Sequence, residues 1–271
     1  MMETSEHNNK HIAFLYICTG KYSRFFQAFY NSAKVHLLQG LADIHYFVFT
    51  DDEKIKDSCD VHIIRRECQG FPYDTLYRFE MFNSIKDQLN SFDYIYFINS
   101  NAELIADMGE EILPDSTGIT AIRWPKQKPC SLSFFYPYER NKRSTAYMPP
   151  LDGPYTYFMG GFYGGTQTAF LNMSEQLAED IRTDVQNGII ACRNDESYLN
   201  KYLHLHKCKE LPKGYCCPEE WISTPSHSRI IFRNKVILDT YFNKGRDNSL
   251  SGKAQKAIVV IWNAIRWYIH V

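Results

Sequence analysis

One run constrains the fold of this chain more than any other: Phe92-Asp93-Tyr94-Ile95-Tyr96-Phe97-Ile98-Asn99-Ser100-Asn101. From Tyr94 to Ile98 every residue is β-branched or aromatic, which predicts a strand buried on both faces inside a sheet. The strand must end at Asn99-Ser100-Asn101, three small polar residues that suit a turn. Open α/β sheets take ligands at the carboxyl ends of their strands, so the same three residues are also site candidates. The neighbouring segments agree. Ile12 to Cys18 reads as a first buried strand, stopping at Thr19-Gly20-Lys21-Tyr22. Phe25, Phe29, Ala33 and Leu37 recur on one helix face, with Gly40 placed as a C-cap. Ile44 to Phe49 and Val61 to Ile64 read as strands, and Arg78 to Leu89 as a second helix. Strand-helix-strand order at this spacing predicts an α/β protein with a parallel or mixed sheet flanked by helices.

Composition narrows the function. The chain has 271 residues, 44% hydrophobic and 15% aromatic, which suits a packed globular domain and excludes a disordered one. Its net charge of -1 gives no electrostatic case for nucleic acid. The eight cysteines are scattered without a C-x-x-C pair, a pattern that fits free thiols in a reducing compartment. Met1 to Lys10 is polar and no stretch approaches the roughly 18 apolar residues of a membrane span. The expected location is the cytoplasm, without an N-terminal anchor.

The second half is less regular. Gly118 to Ile122 reads as a strand and Lys126 to Pro150 as a long polar and aromatic loop, which at that length is usually functional or mobile. Thr156 to Phe162, interrupted by Gly160-Gly161 and followed by Gly164-Gly165, suggests backbone that lets another group come close. A helix from Ser174 carries Leu177, Ile181 and Val185 and stops at Asn187-Gly188; another starts near Asp195-Glu196-Ser197. Ser251 to Val271 stands apart. On a helical wheel Lys256, Asn263, Arg266 and His270 share one side, while Ile258, Ile261, Ala264, Ile265, Tyr268 and Ile269 fill the other. This is the pattern of an interfacial amphipathic helix, or equally of a terminal helix docked on its own core.

The motifs Met159-Gly160-Gly161-Phe162-Tyr163-Gly164-Gly165 and Asn194-Asp195-Glu196-Ser197-Tyr198-Leu199-Asn200-Lys201-Tyr202 carry a resemblance. With Tyr46 to Asp51, Tyr138-Glu139-Arg140 and Ser144 to Pro149, they make the chain similar to glycosyltransferase family 6, from about Ile12 to about Lys235. That family contains the histo-blood group A and B transferases and bacterial relatives. The resemblance implies a GT-A type, Rossmann-like mixed sheet in one catalytic domain, here residues 8–248, with 249–271 as a helical tail. It implies retaining transfer of an α-linked GalNAc or Gal from UDP to the 3-hydroxyl of a β-galactoside. By the same resemblance Ile17, Cys18, Thr19 and Tyr22 would hold uridine, and Arg78 would lie near the donor sugar and diphosphate. Asp195 would bind the sugar hydroxyls, and Glu196 would face the anomeric carbon as nucleophile or as stabiliser of an oxocarbenium-like state. Retention needs a negative group in that place, as in retaining glycosidases. Alone, Asp195-Glu196 is equally a pair of first-turn carboxylates at a helix N-terminus.

Where relatives carry Asp-x-Asp to hold a divalent metal against the diphosphate, this chain has Asn99-Ser100-Asn101, the form seen in the bacterial branch. Neutral amides are weak ligands for such a cation, so no metal or other cofactor is expected, and Arg233 or Lys235, then Lys244 and Arg246, are candidates to stabilise the leaving group. By the same resemblance, a small residue at the Gly161 position implies room for the acetamido group of GalNAc, whereas Met159 resembles the galactose-using form. On the acceptor side Trp124-Pro125, Pro137 and Arg193-Asn194 depart from the family pattern; Trp124 and Arg193 are the candidates there, and a fucosylated acceptor is not expected. If the tail meets a membrane, the acceptor is lipid-linked. Two other readings stay open, a glycan- or UDP-sugar-binding protein of the same fold and a UDP-sugar hydrolase.

Overall fold

The computed structural model describes residues 9–124, 136–212, 214–221, 228–243 and 249–269. The first strand, β1 (Lys10–Ile17), is followed by a short 3-10 turn and helix α1 (Phe26–His36). Then come β2 (Ala42–Thr50), β3 (Val61–Arg65), three short helices α2 (Tyr73–Leu76), α3 (Arg78–Asn83) and α4 (Lys86–Leu89), and β4 (Tyr94–Ile98). After β5 (Ala102–Leu104), β6 (Ile119–Arg123) and β7 (Phe158–Thr166) come the long helix α5 (Gln167–Gln186) and α6 (Asp195–Leu205). The chain closes with β8 (Lys209–Leu211), β9 (Cys216–Pro218), β10 (Ile230–Phe232), α7 (Lys235–Leu238) and α8 (Leu250–Ile269).

A seven-stranded sheet in the order β3-β2-β1-β4-β7-β6-β8 forms the frame. β3, β2, β1 and β4 run parallel; β7 runs antiparallel to both β4 and β6, and β8 is parallel to β6. This is the mixed, helix-flanked α/β sheet expected. Alternate residues serve the two faces, as strand geometry requires. Ala13, Leu15, Ile95 and Phe97 pack with Phe79, Phe82, Phe170 and Leu177 on one side. Ile12, Phe14, Tyr16, Tyr96 and Ile98 pack with Phe26, Phe29 and Ala33 of α1 on the other. A second sheet, β5-β10-β9, lies just beyond the end of β4. A separate cluster of Tyr136, Tyr138, Met148, Tyr155 and Tyr157 is flanked by Trp124 and Tyr268.

Three helices differ from expectation. Helix α1 ends at His36 with Leu37 as its cap, so Gly40, at φ 70°, lies in the turn beyond and does not cap it. The segment expected as one helix from Arg78 to Leu89 breaks after Asn83, where the Ser84 hydroxyl donates to the Met81 carbonyl (2.6 Å) and the Asn83 amide to that of Ser174 (3.2 Å). Such side-chain bonds to backbone compete with helix propagation. Helix α5 begins seven residues before Ser174, capped by Thr166, whose hydroxyl accepts from the Ala169 amide at 3.3 Å. Phe170 and Met173 extend the same buried stripe as Leu177 and Ile181. Each of the seven described cysteines is a free thiol. Of the long loop, residues 125–135 lie outside the described ones; Glu139 and Tyr147 form an isolated bridge in the remainder.

Candidate active site

The antiparallel pairing of β7 with β4 builds the site. It sets Ile98 opposite Phe162, and the Asn99 amide donates to the Gly161 carbonyl at 2.9 Å. The end of β4 and the Met159-Gly160-Gly161 stretch, 60 residues apart in sequence, therefore lie side by side. Both glycines are closely approached by other side chains. A Cβ on Gly160 would lie 3.2 Å from Glu196 Oε2, and one on Gly161 would lie 2.8 Å from Phe232 Cζ. The space beside Gly161 is thus taken by the Phe232 ring.

Helix α6 delivers the carboxylates. Asn194, just before it, has φ 50° and ψ -130°, a left-handed conformation costing about 1–3 kcal/mol unless its surroundings impose it. They do. The Glu139 carboxylate accepts from the Cys192 amide (2.6 Å) and from those of Arg140 and Asn141 (2.8 Å each), tying the two loops together. Buried Asp184 accepts from the Thr145 amide (2.8 Å) and the Tyr198 hydroxyl (2.9 Å). The Tyr138-Glu139-Arg140 and Ser144-to-Pro149 motifs hence act as braces for the α6 N-terminus. Asn200 clamps the helix to β7, accepting from the Phe158 amide and donating to its carbonyl, both at 2.8 Å.

Both oxygens of Glu196 are held: Oε1 accepts from the Tyr157 hydroxyl at 2.6 Å and Oε2 from the Gly160 amide at 2.7 Å. Asp195 is 2% exposed, and its Oδ2 lies 3.0 Å from Arg78 Nη1, which donates to the Gly160 carbonyl at 2.9 Å. The guanidinium also stacks over the Phe97 ring at 4.4 Å. Burial pushes the Asp195 carboxyl up from the ordinary 3.8 to about 7, against the pull of Arg78. Among the described residues neither Asp195 Oδ2 nor Arg78 Nε has an aligned hydrogen-bond partner. Buried polar atoms of this kind fit a polyhydroxylated ligand.

At the end of β1, Ile17 and buried Cys18 and Thr19 lead to Tyr22. Cys18 is inert as a thiol, raised to about 12 by burial, and its carbonyl accepts from the Thr50 hydroxyl at 3.1 Å. The C-terminal segment folds over this end: Phe242 packs edge-on to Tyr22 at 4.8 Å, and Lys235 Nζ lies 5.0 Å from the Tyr22 ring centroid. Asp239 secures it by accepting from Lys21 Nζ at 2.9 Å.

The Asn-x-Asn residues bond to one another and to β10. Asn99 Nδ2 donates to Asn101 Oδ1 (2.9 Å), and Asn101 Nδ2 donates to the Arg233 carbonyl (2.8 Å). The Ser100 carbonyl accepts from the Tyr16 hydroxyl at 2.7 Å. A divalent cation takes several charged oxygens, and two neutral, mutually bonded amides do not fit one. Among the described residues no three His, Cys, Asp or Glu side chains are grouped to hold a metal. The Arg233 guanidinium, expected near the diphosphate, is engaged by Glu103 Oε2 and Glu219 Oε1, each at 2.6 Å, whose charges offset its own. Lys244 and Arg246 lie outside the described residues.

On the expected acceptor side Trp124 is half-buried, donating its amide to the Tyr157 carbonyl at 2.8 Å with its ring edge-on to Tyr157 at 6.4 Å. Arg193 is exposed on the loop before α6, its amide donating to the Ser197 hydroxyl at 3.0 Å. Tyr157 and Phe232 are not marked by the sequence, and Asn200 is marked only as a member of the family motif, without a role. Nothing local marks Tyr157 among 19 tyrosines, and Phe232 reaches Gly161 from another sheet.

An open α/β sheet binds its ligand at strand ends, and a held carboxylate pair there suits displacement at a sugar carbon. The chain belongs to glycosyltransferase family 6, whose sequence model matches residues 2–237. It is 33% identical over 234 residues to the O-antigen biosynthesis glycosyltransferase WbnI of Escherichia coli, an alignment covering 86% of this chain and 98% of that one. It is 27% identical over 209 residues to globoside alpha-1,3-N-acetylgalactosaminyltransferase 1 of Gallus gallus, covering 71% of this chain and 57% of that one. To histo-blood group ABO system transferase 1 of Rattus norvegicus it is 28% identical over 216 residues, covering 76% and 60%. Family membership makes it a hexosyltransferase and implies a nucleotide-sugar donor and a glycan acceptor.

Proposed function

We propose that this protein is a metal-independent retaining α-1,3-glycosyltransferase that moves GalNAc, in preference to Gal, from UDP to the 3-hydroxyl of a β-galactoside. The reading is carried by Glu196, a carboxylate with both oxygens held beside the strand-end glycines. The anomeric C1–O bond to the β-phosphate breaks as a new C1–O bond forms to the acceptor hydroxyl. The hydroxyl proton leaves with the departing UDP. Two hydrogen bonds lower the nucleophilicity of Glu196 while fixing its charge, which favours its acting as electrostatic stabiliser of the oxocarbenium-like state. Asp195, whose Oδ2 is ion-paired to Arg78 but has no aligned hydrogen-bond partner among the described residues, accepts from donor-sugar hydroxyls, and Arg78 keeps it oriented. Tyr22 stacks on uracil, Lys235 offsets the diphosphate charge, and Trp124 and Arg193 flank the acceptor.

The GalNAc preference rests on Gly161 and requires the Phe232 ring, which fills the space beside it, to move aside for the acetamido group. Similarity to a bacterial O-antigen enzyme supports a cytoplasmic role in building a surface glycan. The test is UDP release from UDP-GalNAc and UDP-Gal in EDTA, with and without β-galactosides, for wild type and Glu196→Gln. Acceptor-dependent release in EDTA that falls at least about 100-fold in the variant is expected. Activity abolished by EDTA and restored by Mn²⁺ would refute metal independence. Release without any acceptor dependence would mean a hydrolase, and tight UDP-sugar binding without release a binding protein.

A further inference from the structure

Helix α8 follows the last residue matched by the family and, among the described residues, carries a stripe of exposed apolar side chains. Ile258, Ile261, Trp262, Ile265 and Ile269 recur at the spacing of one helix face, and all five are exposed, from 40% at Ile265 to 69% at Ile269. Isolated exposed apolar residues are ordinary; a contiguous stripe of large ones along a whole helix marks a contact surface. Among the described residues no helix is long and apolar enough to cross a membrane, so α8 is not a span.

Charge selects the occupant. Of the chain's 31 Asp and Glu none lies in residues 249–271, whereas Lys253, Lys256 and Arg266 do. The body carries every acidic residue of a chain that is close to neutral overall, so the basic tail has an opposite electrostatic character. An apolar stripe within a purely basic segment, with tryptophan among the exposed residues, complements an anionic lipid surface. We infer that α8 lies in the interface of an anionic bilayer, through Ile258, Ile261, Trp262, Ile265 and Ile269, and docks the enzyme on it.

The attachment of α8 to the body gives this docking a direction. Tyr268 packs against the tyrosine cluster that contains Tyr157, the residue bonded to Glu196. A bilayer beneath α8 therefore lies next to the expected acceptor side, which suits an acceptor glycan carried on a lipid. This last step rests on the transferase reading; the docking itself does not.

Vesicle flotation without substrates tests it, using the full chain with phosphatidylglycerol/phosphatidylcholine vesicles and with phosphatidylcholine alone. Wild type is expected to float with the anionic vesicles and to bind neutral ones roughly 100-fold more weakly. Ile258→Glu/Ile265→Glu is expected to lose at least about 100-fold in vesicle affinity with unchanged Tm and unchanged turnover on a soluble acceptor. Lys253→Gln/Lys256→Gln should lose roughly 30-fold, on anionic vesicles only. Equal binding by wild type and the isoleucine variant overturns the proposal. So does absence of binding to either vesicle, or a lipid-free dimer that the isoleucine variant dissociates. An active enzyme that ignores vesicles would overturn docking and leave the transferase reading standing.

Discussion

Replacing Tyr157 by Phe isolates one bond at the centre of the site. The ring is 1% exposed and packs with Tyr136 and Tyr138, contacts that Phe keeps; only the hydroxyl 2.6 Å from Glu196 Oε1 is lost. A hydrogen bond to a charged acceptor is worth about 1.5–3 kcal/mol. If that bond holds the carboxylate where positive charge develops, its loss is felt in the transition state and kcat falls between about 10- and 150-fold. The donor KM should stay within about threefold, because Asp195, Arg78 and the uridine end are untouched. The assay is steady-state UDP release with a saturating acceptor, for wild type, Tyr157→Phe, Glu196→Gln and the double variant. In the Glu196→Gln background the second change should cost under about threefold, since residues acting through one group are not additive. A kcat within twofold of wild type, or full additivity in the double variant, would refute the reasoning.

Two further expectations concern stability and pH. Because burial raises Asp195 to about 7, its carboxylate is available only above that pH, and kcat/KM should fall on the acid side with a midpoint near 7. The sign for stability is opposite: the folded form holds a proton that the unfolded chain has released above its ordinary 3.8, so this group's contribution declines as pH rises from 3.8 to about 7. Denaturation of wild type and Asp195→Asn across that range should show the stability of wild type relative to the variant falling as pH rises. Gly164→Ala would drive a Cβ into the Tyr96 ring between two central strands. We expect a loss of about 3 kcal/mol, and thermal unfolding lowered by about 6–12 °C.

Much of the frame was legible locally. Tyr94 to Ile98 is strand β4 to the residue, because an unbroken β-branched and aromatic run has no face to offer water. Asp195 opens α6 as read, since its carboxylate suits a helix N-terminus. Where the local signal is a weak compromise it misled: the apolar spacing through Ser84 continues, yet the serine and asparagine side chains end α3 by bonding to carbonyls. The start of α5 at Gln167 lies ahead of its plainest apolar spacing, Leu177, Ile181 and Val185.

The division between the two kinds of information follows from range. Periodicity and residue type carry what depends on neighbours within a turn or a strand: which segments bury which faces, where they stop, and the motifs that mark the family. They do not carry the direction of β7 beside β4, which brings Gly160 and Gly161 to the Asn99 end of the sheet. Nor do they carry the hydroxyl of Tyr157 on Glu196, the ring of Phe232 over Gly161, or the two carboxylates that claim Arg233. Those contacts join residues from 14 to 130 positions apart and exist only once strand register and helix docking are set. Pairing of that kind is a property of the packed core as a whole, and no local stretch of the chain encodes it.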